Sequence, residues 1–332
     1  MTRQDRGIGI LGLGSYVPER IMTNAEWTAY VDTSDEWIRE RTGIVQRRIA
    51  APEQSTVDLA EHAARAALAD AGVAVGAVDE LIVATDTPEC YIPDTSAFLQ
   101  DRLGLGEIST FDLAGSGCAG FLQALDVACA RVAWSKARVL VVGAELLTRL
   151  MSWQDRNTCV LFGDGAGAAV VGRVSEGRGE ILAATAGTDG SKAGILGLET
   201  GGTRRPFSKE AAAEDAHHDI VMNGREVFRE AVHRMSAAAR QVLDQLGMTL
   251  DDIDLVVPHQ ANLRILHAVA KALRAPLEKV FIHVQDFGNT GSASIPLALD
   301  RARAAGRVPP GTVALLTSFG AGFHWGAMVV RF

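Results

Sequence analysis

The chain has 332 residues, 48% hydrophobic and 22% charged, which excludes a disordered segment, a collagen-like fibre and a small disulfide-stapled scaffold and suits roughly two domains of ~150 residues. Its 32 basic and 40 acidic residues give a formal charge of -8, against a broad nucleic-acid footprint though not against a small basic patch for an acidic partner. The four cysteines (Cys90, Cys118, Cys129, Cys159) form no C-x-x-C pair, MTRQDRGIGI holds no signal peptide, and no apolar run approaches the ~20 residues of a membrane span. A cytoplasmic chain with reduced thiols is expected.

In chain order, an Ala-rich amphipathic helix is predicted over residues 55–72, closed by Gly72 and followed by the apolar strand LIVAT at 81–85. A strand at 108–113 runs through small residues into a helix from about Ala119. Cys118 stands at that junction, beside free backbone N–H groups and the positive helix end, both of which lower a thiol's pKa. Gly117 and Gly120 allow a substrate to approach closely. From this segment alone, a buried structural cysteine and a nucleophile are equally good readings. Cys129 falls mid-helix, Cys159 in a predicted strand and Cys90 in a loop. The runs at 139–144 and 168–172 read as strands buried on both faces.

The second half repeats the pattern. LVVP at 255–258 is a strand, and His259 opens a loop at its carboxyl end, where α/β folds place ligand crevices, before a helix over 261–274. Asn289, in FGNTGSAS, is by itself a turn former. VALLT at 313–317 is the last clear buried strand. His62 and His267 lie in helical patterns and read as structural. His217 and His218 fall in an acidic loop and offer no identifiable metal partners. His324, beside Trp325, stays ambiguous.

An internal duplication organises these elements. LADAGVAVGAVDELIV (68–83) parallels LDQLGMTLDDIDLVVP (243–258), aligning Gly72 with Gly247 and Asp79 with Asp254. ALDVACARVAWSKARVLVVGAE (124–145) echoes ALDRARAAGRVPPGTVALLTSF (298–319), and FGDGAGAAVVGRV (162–174) echoes FGAGFHWGAMVVRF (319–332). Two similar α/β halves follow, 1–176 carrying the cysteine and 177–332 carrying His259 and Asn289, split near Ser175–Gly179. Pseudo-twofold symmetry would bring Cys118 and Asn289 together at central helix ends, with the Gly320-Ala321-Gly322 turn aiming an N–H into the same site.

With these segments in hand, the chain resembles the β-ketoacyl-acyl carrier protein synthase III family of the thiolase superfamily. The resemblance rests on GSYVPER (14–20), DTSDEWIRERTGI (32–44), GCAGF (117–121), FGDGAGAAV (162–170), PHQANLRI (258–265), FGNTGSAS (287–294) and FGAGFHWGA (319–327), in this order. It implies a thiolase-like fold, two mixed sheets among helices in five αβαβα layers, in a homodimer. It also implies an acyltransferase of fatty acid biosynthesis that condenses an acyl-CoA primer with malonyl-acyl carrier protein and needs no cofactor. Carried over residue by residue, Cys118 matches the acylated nucleophile, and His259 and Asn289 match the pair promoting decarboxylation. The N–H groups of Cys118 and Gly322 match the oxyanion hole. Trp37, Arg41, Arg156 and Asn262 match the CoA site, and Arg229, Arg264 and Lys271 the face that receives the carrier protein, although a solvated helical face is the plainer reading of those three.

Four positions depart from the family pattern. Ala321 interrupts the usual three glycines, and Arg225 and His324 replace an expected Asn and small polar residue, with consequences expected for pantetheine contacts. Ile92 stands where a Phe often closes the acyl pocket from the neighbouring subunit, so a longer primer is expected. Among rivals, a thiolase needs a second cysteine after Cys159, and none follows. Hydroxymethylglutaryl-CoA synthase chemistry needs a Glu base near the cysteine, and no Glu is expected there. A specialised-metabolism acyltransferase using Cys118 with another acceptor is the nearest alternative. A partner subunit without activity is disfavoured, since all three catalytic types remain.

Overall fold

Gly72 and Gly247 both adopt left-handed backbone (φ 62° and 64°), each accepting the end of a helix, as their alignment in the repeat implies. The computed structural model describes residues 7–175, 179–209 and 219–332. His217, His218, the alanine run 211–213 and the 176/177 boundary lie outside the described residues.

The first half comprises β1 (Gly7–Tyr16), β2 (Ile21–Thr23), α1 (Asp35–Thr42), β3 (Gln46–Arg48), α2 (Thr56–Ala71), β4 (Glu80–Thr85), α3 (Thr95–Leu103), β5 (Ser109–Ala114), α4 (Gly120–Trp134), β6 (Arg138–Leu146) and β7 (Asp164–Val174). The second comprises β8 (Glu180–Thr188), β9 (Leu196–Leu198), β10 (Ile220–Met222), α5 (Gly224–Leu246), β11 (Leu255–Pro258), α6 (Leu263–Leu273), α7 (Val284–Phe287), α8 (Ser294–Ala304), β12 (Val313–Gly320) and β13 (His324–Arg331). Cys159, expected in a strand, lies instead in a buried turn before β7, within the same apolar cluster as Met22, Trp27 and Phe162.

The main strands run in the order β11-β12-β13-β8-β1-β7-β6-β4-β5. Each half builds the same ladder. In the first, β5, β4 and β6 are parallel and β7 and β1 antiparallel additions. In the second, a parallel bridge at Val280 stands where β5 would, followed by β11, β12, β13 and β8. The two sheets implied by the resemblance are hydrogen-bonded into one along the β1–β8 edge, by the Gly9–Glu180 pair and the Ile10 N–H to Gly179 O bond of 2.7 Å. Glycines at 9 and 179 permit that approach, since a side chain at either would collide with the opposite backbone.

Alternation along the strands separates three cores. Leu81 and Val83 face α2 and its alanines, whereas Ile82 and Ala84 face the central helices α4 and α8. In the other half Leu255 and Val257 face that same central core and Val256 faces α5 and α6. Sheets covered on both sides give the five layers, and they explain why these strands are apolar throughout. β6 packs against the turn that opens α8 and β12 against the turn that opens α4, and the site lies there.

Candidate active site

Tight one-turn segments precede the two central helices: Gly117–Ala119 before α4 and Gly291–Ala293 before α8. They meet across the pseudo-symmetry, Ser292 Oγ donating to the Gly117 carbonyl at 3.2 Å. Gly117 (φ 55°) and Gly320 lie back to back, and a Cβ on Gly117 would strike the Ala321 nitrogen, so both backbones can approach only as glycine. This contact brings Cys118 and the Ala321–Gly322 turn to one cavity of about 1150 Å3.

Cys118, His259 and Asn289 all line that cavity. The Cys118 thiol faces Asn289 Oδ1 at 3.8 Å, across 171 residues of sequence. Asn289 is held by its backbone, donating to Leu161 O (2.8 Å) and accepting from the Gly163 N–H (3.0 Å), while its Oδ1 also accepts from the Gly291 N–H at 2.9 Å. With Oδ1 so occupied, Nδ2 is the atom left to donate toward a ligand. His259 follows β11, its N–H donating to Thr317 O at 2.8 Å, and is 3% exposed. Burial lowers its imidazole to about 3, so the ring is neutral. Its Nδ1 has no partner, which favours the tautomer protonated on Nε2. The cavity thus presents one thiol and two neutral hydrogen-bond donors.

The thiol's environment corrects one expectation. The helix end was expected to favour thiolate. Burial instead pushes the Cys118 pKa up, and the Asp86 and Glu145 carboxyls add to it. Desolvation and two acids outweigh a helix end whose worth is typically under ~1 kcal/mol. No glutamate was expected near Cys118, yet Glu145 is close enough to act on it, though it is wholly buried and does not line the cavity.

At the cavity mouth, Arg156 lies 4.9 Å and Arg41 5.6 Å from the centre of the Trp37 ring, and Arg156 also donates to Asp32 O at 2.8 Å. Asn262 caps α6, accepting from the Arg264 N–H at 2.8 Å, and its Nδ2 donates to Arg41 O at 3.4 Å. These residues and Arg264 line the cavity, and so does Arg225, exposed in the first turn of α5. Lys271 is exposed two turns beyond Arg264 on α6, the same face of the helix. Arg229 stands apart: Glu226 and Glu230 hold it at 3.4 Å each, which offsets its charge.

Two of the departing residues lie outside the lining of this cavity. His324 does not line the cavity; its ring packs against Gly322 and its Nδ1 bonds Thr188 Oγ1 at 2.8 Å, so its bulk bears on the turn. Ile92 is 82% exposed beside Tyr91 (76%) and lines no part of its own chain's cavity. His267, expected to be structural, is exposed on α6, while His62 stacks on Tyr16 at 4.4 Å.

Residues 111–190 match the 3-oxoacyl-[acyl-carrier-protein (ACP)] synthase III family, and residues 243–332 match its C-terminal family. A β-ketoacyl-[acyl-carrier-protein] synthase III of Symbiobacterium thermophilum is 48% identical over 98% of this chain and 98% of its own. That of Oleidesulfovibrio alaskensis is 46% identical over 97% of this chain and 98% of its own. The chain belongs to the β-ketoacyl-acyl carrier protein synthase III family. The solved synthase III of Thermus thermophilus has the same fold, with a TM-score of 0.90 and 47% identity over 98% of this chain and 99% of that one.

For a synthase III, Asp86 and Glu145 are the site residues that sequence reasoning missed. A signal existed for the first: Asp86 directly follows strand β4, the position at a strand's carboxyl end that singled out His259. Glu145 is the next-to-last residue of β6, where the same strand-end position marks it less plainly.

Proposed function

We propose that the chain condenses an acyl-CoA primer with malonyl-acyl carrier protein through an acyl-Cys118 intermediate, giving a 3-oxoacyl-acyl carrier protein and starting fatty acid synthesis. One observation carries the reading: Cys118 from the first half and His259 and Asn289 from the second line a single cavity whose mouth holds Trp37, Arg41 and Arg156. The primer's thioester carbon is attacked by Cys118 sulfur, the thiol proton leaving with the departing CoA sulfur as the free CoA thiol. The N–H groups of Cys118 and Gly322 receive the tetrahedral oxyanion. A malonyl thioester then enters, its thioester oxygen accepting from His259 Nε2–H and Asn289 Nδ2–H. As the C–CO2 bond breaks, its electron pair passes into the enolate those donors stabilise. The enolate carbon attacks the acyl-cysteine, and the Cys118–acyl bond breaks to restore the sulfur. Donors of this sort are each worth roughly 3–4 kcal/mol.

Adenine recognition fits the stack at the mouth. For a base to lie between Trp37 and the Arg156 guanidinium, Arg156 must swing off the ring, exchanging one flat partner for another. Intact-mass measurement after an acyl-CoA series and then malonyl carrier protein tests the whole reading. Acyl mass should appear first and be discharged second. Acylation that malonyl carrier protein never discharges would favour instead the specialised acyltransferase with another acceptor.

Docking of the acidic carrier protein falls to Arg264 and Lys271. Lys271→Glu should raise the carrier-protein KM by up to about tenfold and leave the acyl-CoA KM nearly unchanged, because a rim charge acts mainly on encounter. Arg264→Glu should affect both more evenly, since it also lines the cavity. Steady-state kinetics at two salt concentrations checks this; equal effects of Lys271→Glu on both substrates would indicate a general structural role.

A cytoplasmic homodimer completes the proposal. β5 is a sheet edge with one side unpaired, and Tyr91, Ile92 and Phe98 are exposed beside it, an arrangement that a second copy would cover. Among the described residues no helix is long and apolar enough to cross a membrane. In the dimer, Ile92 would reach the partner's acyl pocket. Smaller than Phe, it leaves room for a primer beyond acetyl, each added methylene contributing ~0.8 kcal/mol. kcat/KM from C2 to C12 primers should peak past C2, and Ile92→Phe should move the peak back. A wild type peaking sharply at acetyl, unmoved by the substitution, would exclude the longer primer.

A further inference from the structure

Two acids lie under the nucleophile that the condensation chemistry does not use. Asp86 lines the cavity, and its Oδ1 accepts from the Gly117 N–H at 3.3 Å, with the Gly115 N–H as a second donor. Glu145, wholly buried, accepts from the Asp86 N–H at 3.2 and 3.1 Å, from the Thr87 hydroxyl at 3.0 Å and from the Ser292 N–H at 3.4 Å. One carboxyl therefore holds the turn bearing Cys118, and the other holds the turn that follows Asn289. Gly291 is needed at this join, because a Cβ there would press into the Glu145 side chain.

The groups around the pair are few. From the turn before α4 comes the Cys118 thiol; from the turn before α8 and the segment after β4 come backbone N–H groups and hydroxyls; across the cavity stands neutral His259. Among the described residues no cation faces either acid. Two adjacent carboxyls without a cation, one wholly buried and the other facing the cavity, oppose each other's ionisation near neutral pH.

We propose that Asp86 and Glu145 share one proton, and that the single charge they keep beside Cys118 holds its sulfur as a thiol at rest while the pair ties the Cys118 and Asn289 turns together. This deepens the reading of Cys118 as the nucleophile: they are positioning residues that delay ionisation until a thioester is at hand. In support, burial and then the Asp86 charge raise Glu145 to about 8, and burial raises Asp86 as well.

The test is alkylation of Cys118 by iodoacetamide against pH, followed on the Cys118 peptide so that the other three thiols do not contribute, in wild type, Asp86→Asn, Glu145→Gln and the double variant. In a sharing pair, removing one acid lets the other release the proton and keep the charge. Each single variant should therefore shift the profile little. The double variant should move it to lower pH by about one unit, roughly tenfold faster at a fixed pH below the midpoint. An unmoved double variant overturns the proposal, and so does a single variant that shifts as far as the double. Should the double variant not fold, infrared difference spectra of wild type minus Asp86→Asn at neutral pH decide: a protonated-carboxyl stretch must be lost with Asp86, and an unchanged band overturns sharing. Failure of acyl transfer in the wild type would leave the alkylation profiles untouched, so the two readings fail separately.

Discussion

Cys118→Ser should abolish acyl transfer, with loss of acyl-enzyme formation of at least about a thousandfold. The serine hydroxyl would sit at the same turn but ionise far less readily than a thiol, in a place where burial and the Asp86 and Glu145 carboxyls already oppose the anion. Incubation with radiolabelled acyl-CoA, read by intact mass, measures it. The other three thiols serve as controls. Cys129 packs against the central core from within α4, Cys159 is fully buried among aromatic side chains, and Cys90 is exposed and donates to Pro93 O at 3.4 Å. None of them lines the cavity, so their serine variants should still label. Persistent thioester in Cys118→Ser would end the assignment.

His259→Ala and Asn289→Ala should separate the two half-reactions. Both variants should still acylate, if more slowly, since Cys118 and the backbone N–H groups around it remain. Condensation should fall by about 10²–10³-fold in each, the usual cost of one oxyanion donor. Since burial holds His259 near 3, its imidazole stays neutral from mildly acid to alkaline pH. The condensation rate should then show no inflection at the ordinary histidine value of ~6.5. Release of labelled CO2 from malonyl carrier protein, with and without a pre-formed acyl-enzyme, provides the measurement. Wild-type decarboxylation by either variant would contradict the assigned role.

Much of the architecture was legible along the chain because it is local. A helix that ends at glycine, a linker and a strand apolar on both faces leave the same trace wherever they occur, so 68–83 and 243–258 could be matched without coordinates. The same holds for His259 at the end of β11 and Cys118 at the start of a helix, since strand ends and helix starts are marked by short-range pattern. The motifs of the family lie in those very turns.

What only the tertiary structure decided is which separate turns touch and how their fields combine. Cys118 and Asn289 meet because the turns that open α4 and α8 pack on each other, Ser292 Oγ on the Gly117 carbonyl, a contact between segments 175 residues apart. The direction of the thiol's pKa was misjudged from sequence for the same reason. A helix end is a local feature, whereas desolvation and the charges of Asp86 and Glu145 arrive from the ends of two other strands. That Arg229 has two glutamates against it, and that Ile92 lies exposed on the outside of its own chain, are likewise facts of the fold that no local pattern carries. Sequence determines the elements through short-range periodicity and turn chemistry; burial, pairing and charge at a site are sums over everything packed around it, and that sum exists only once the halves have closed on each other.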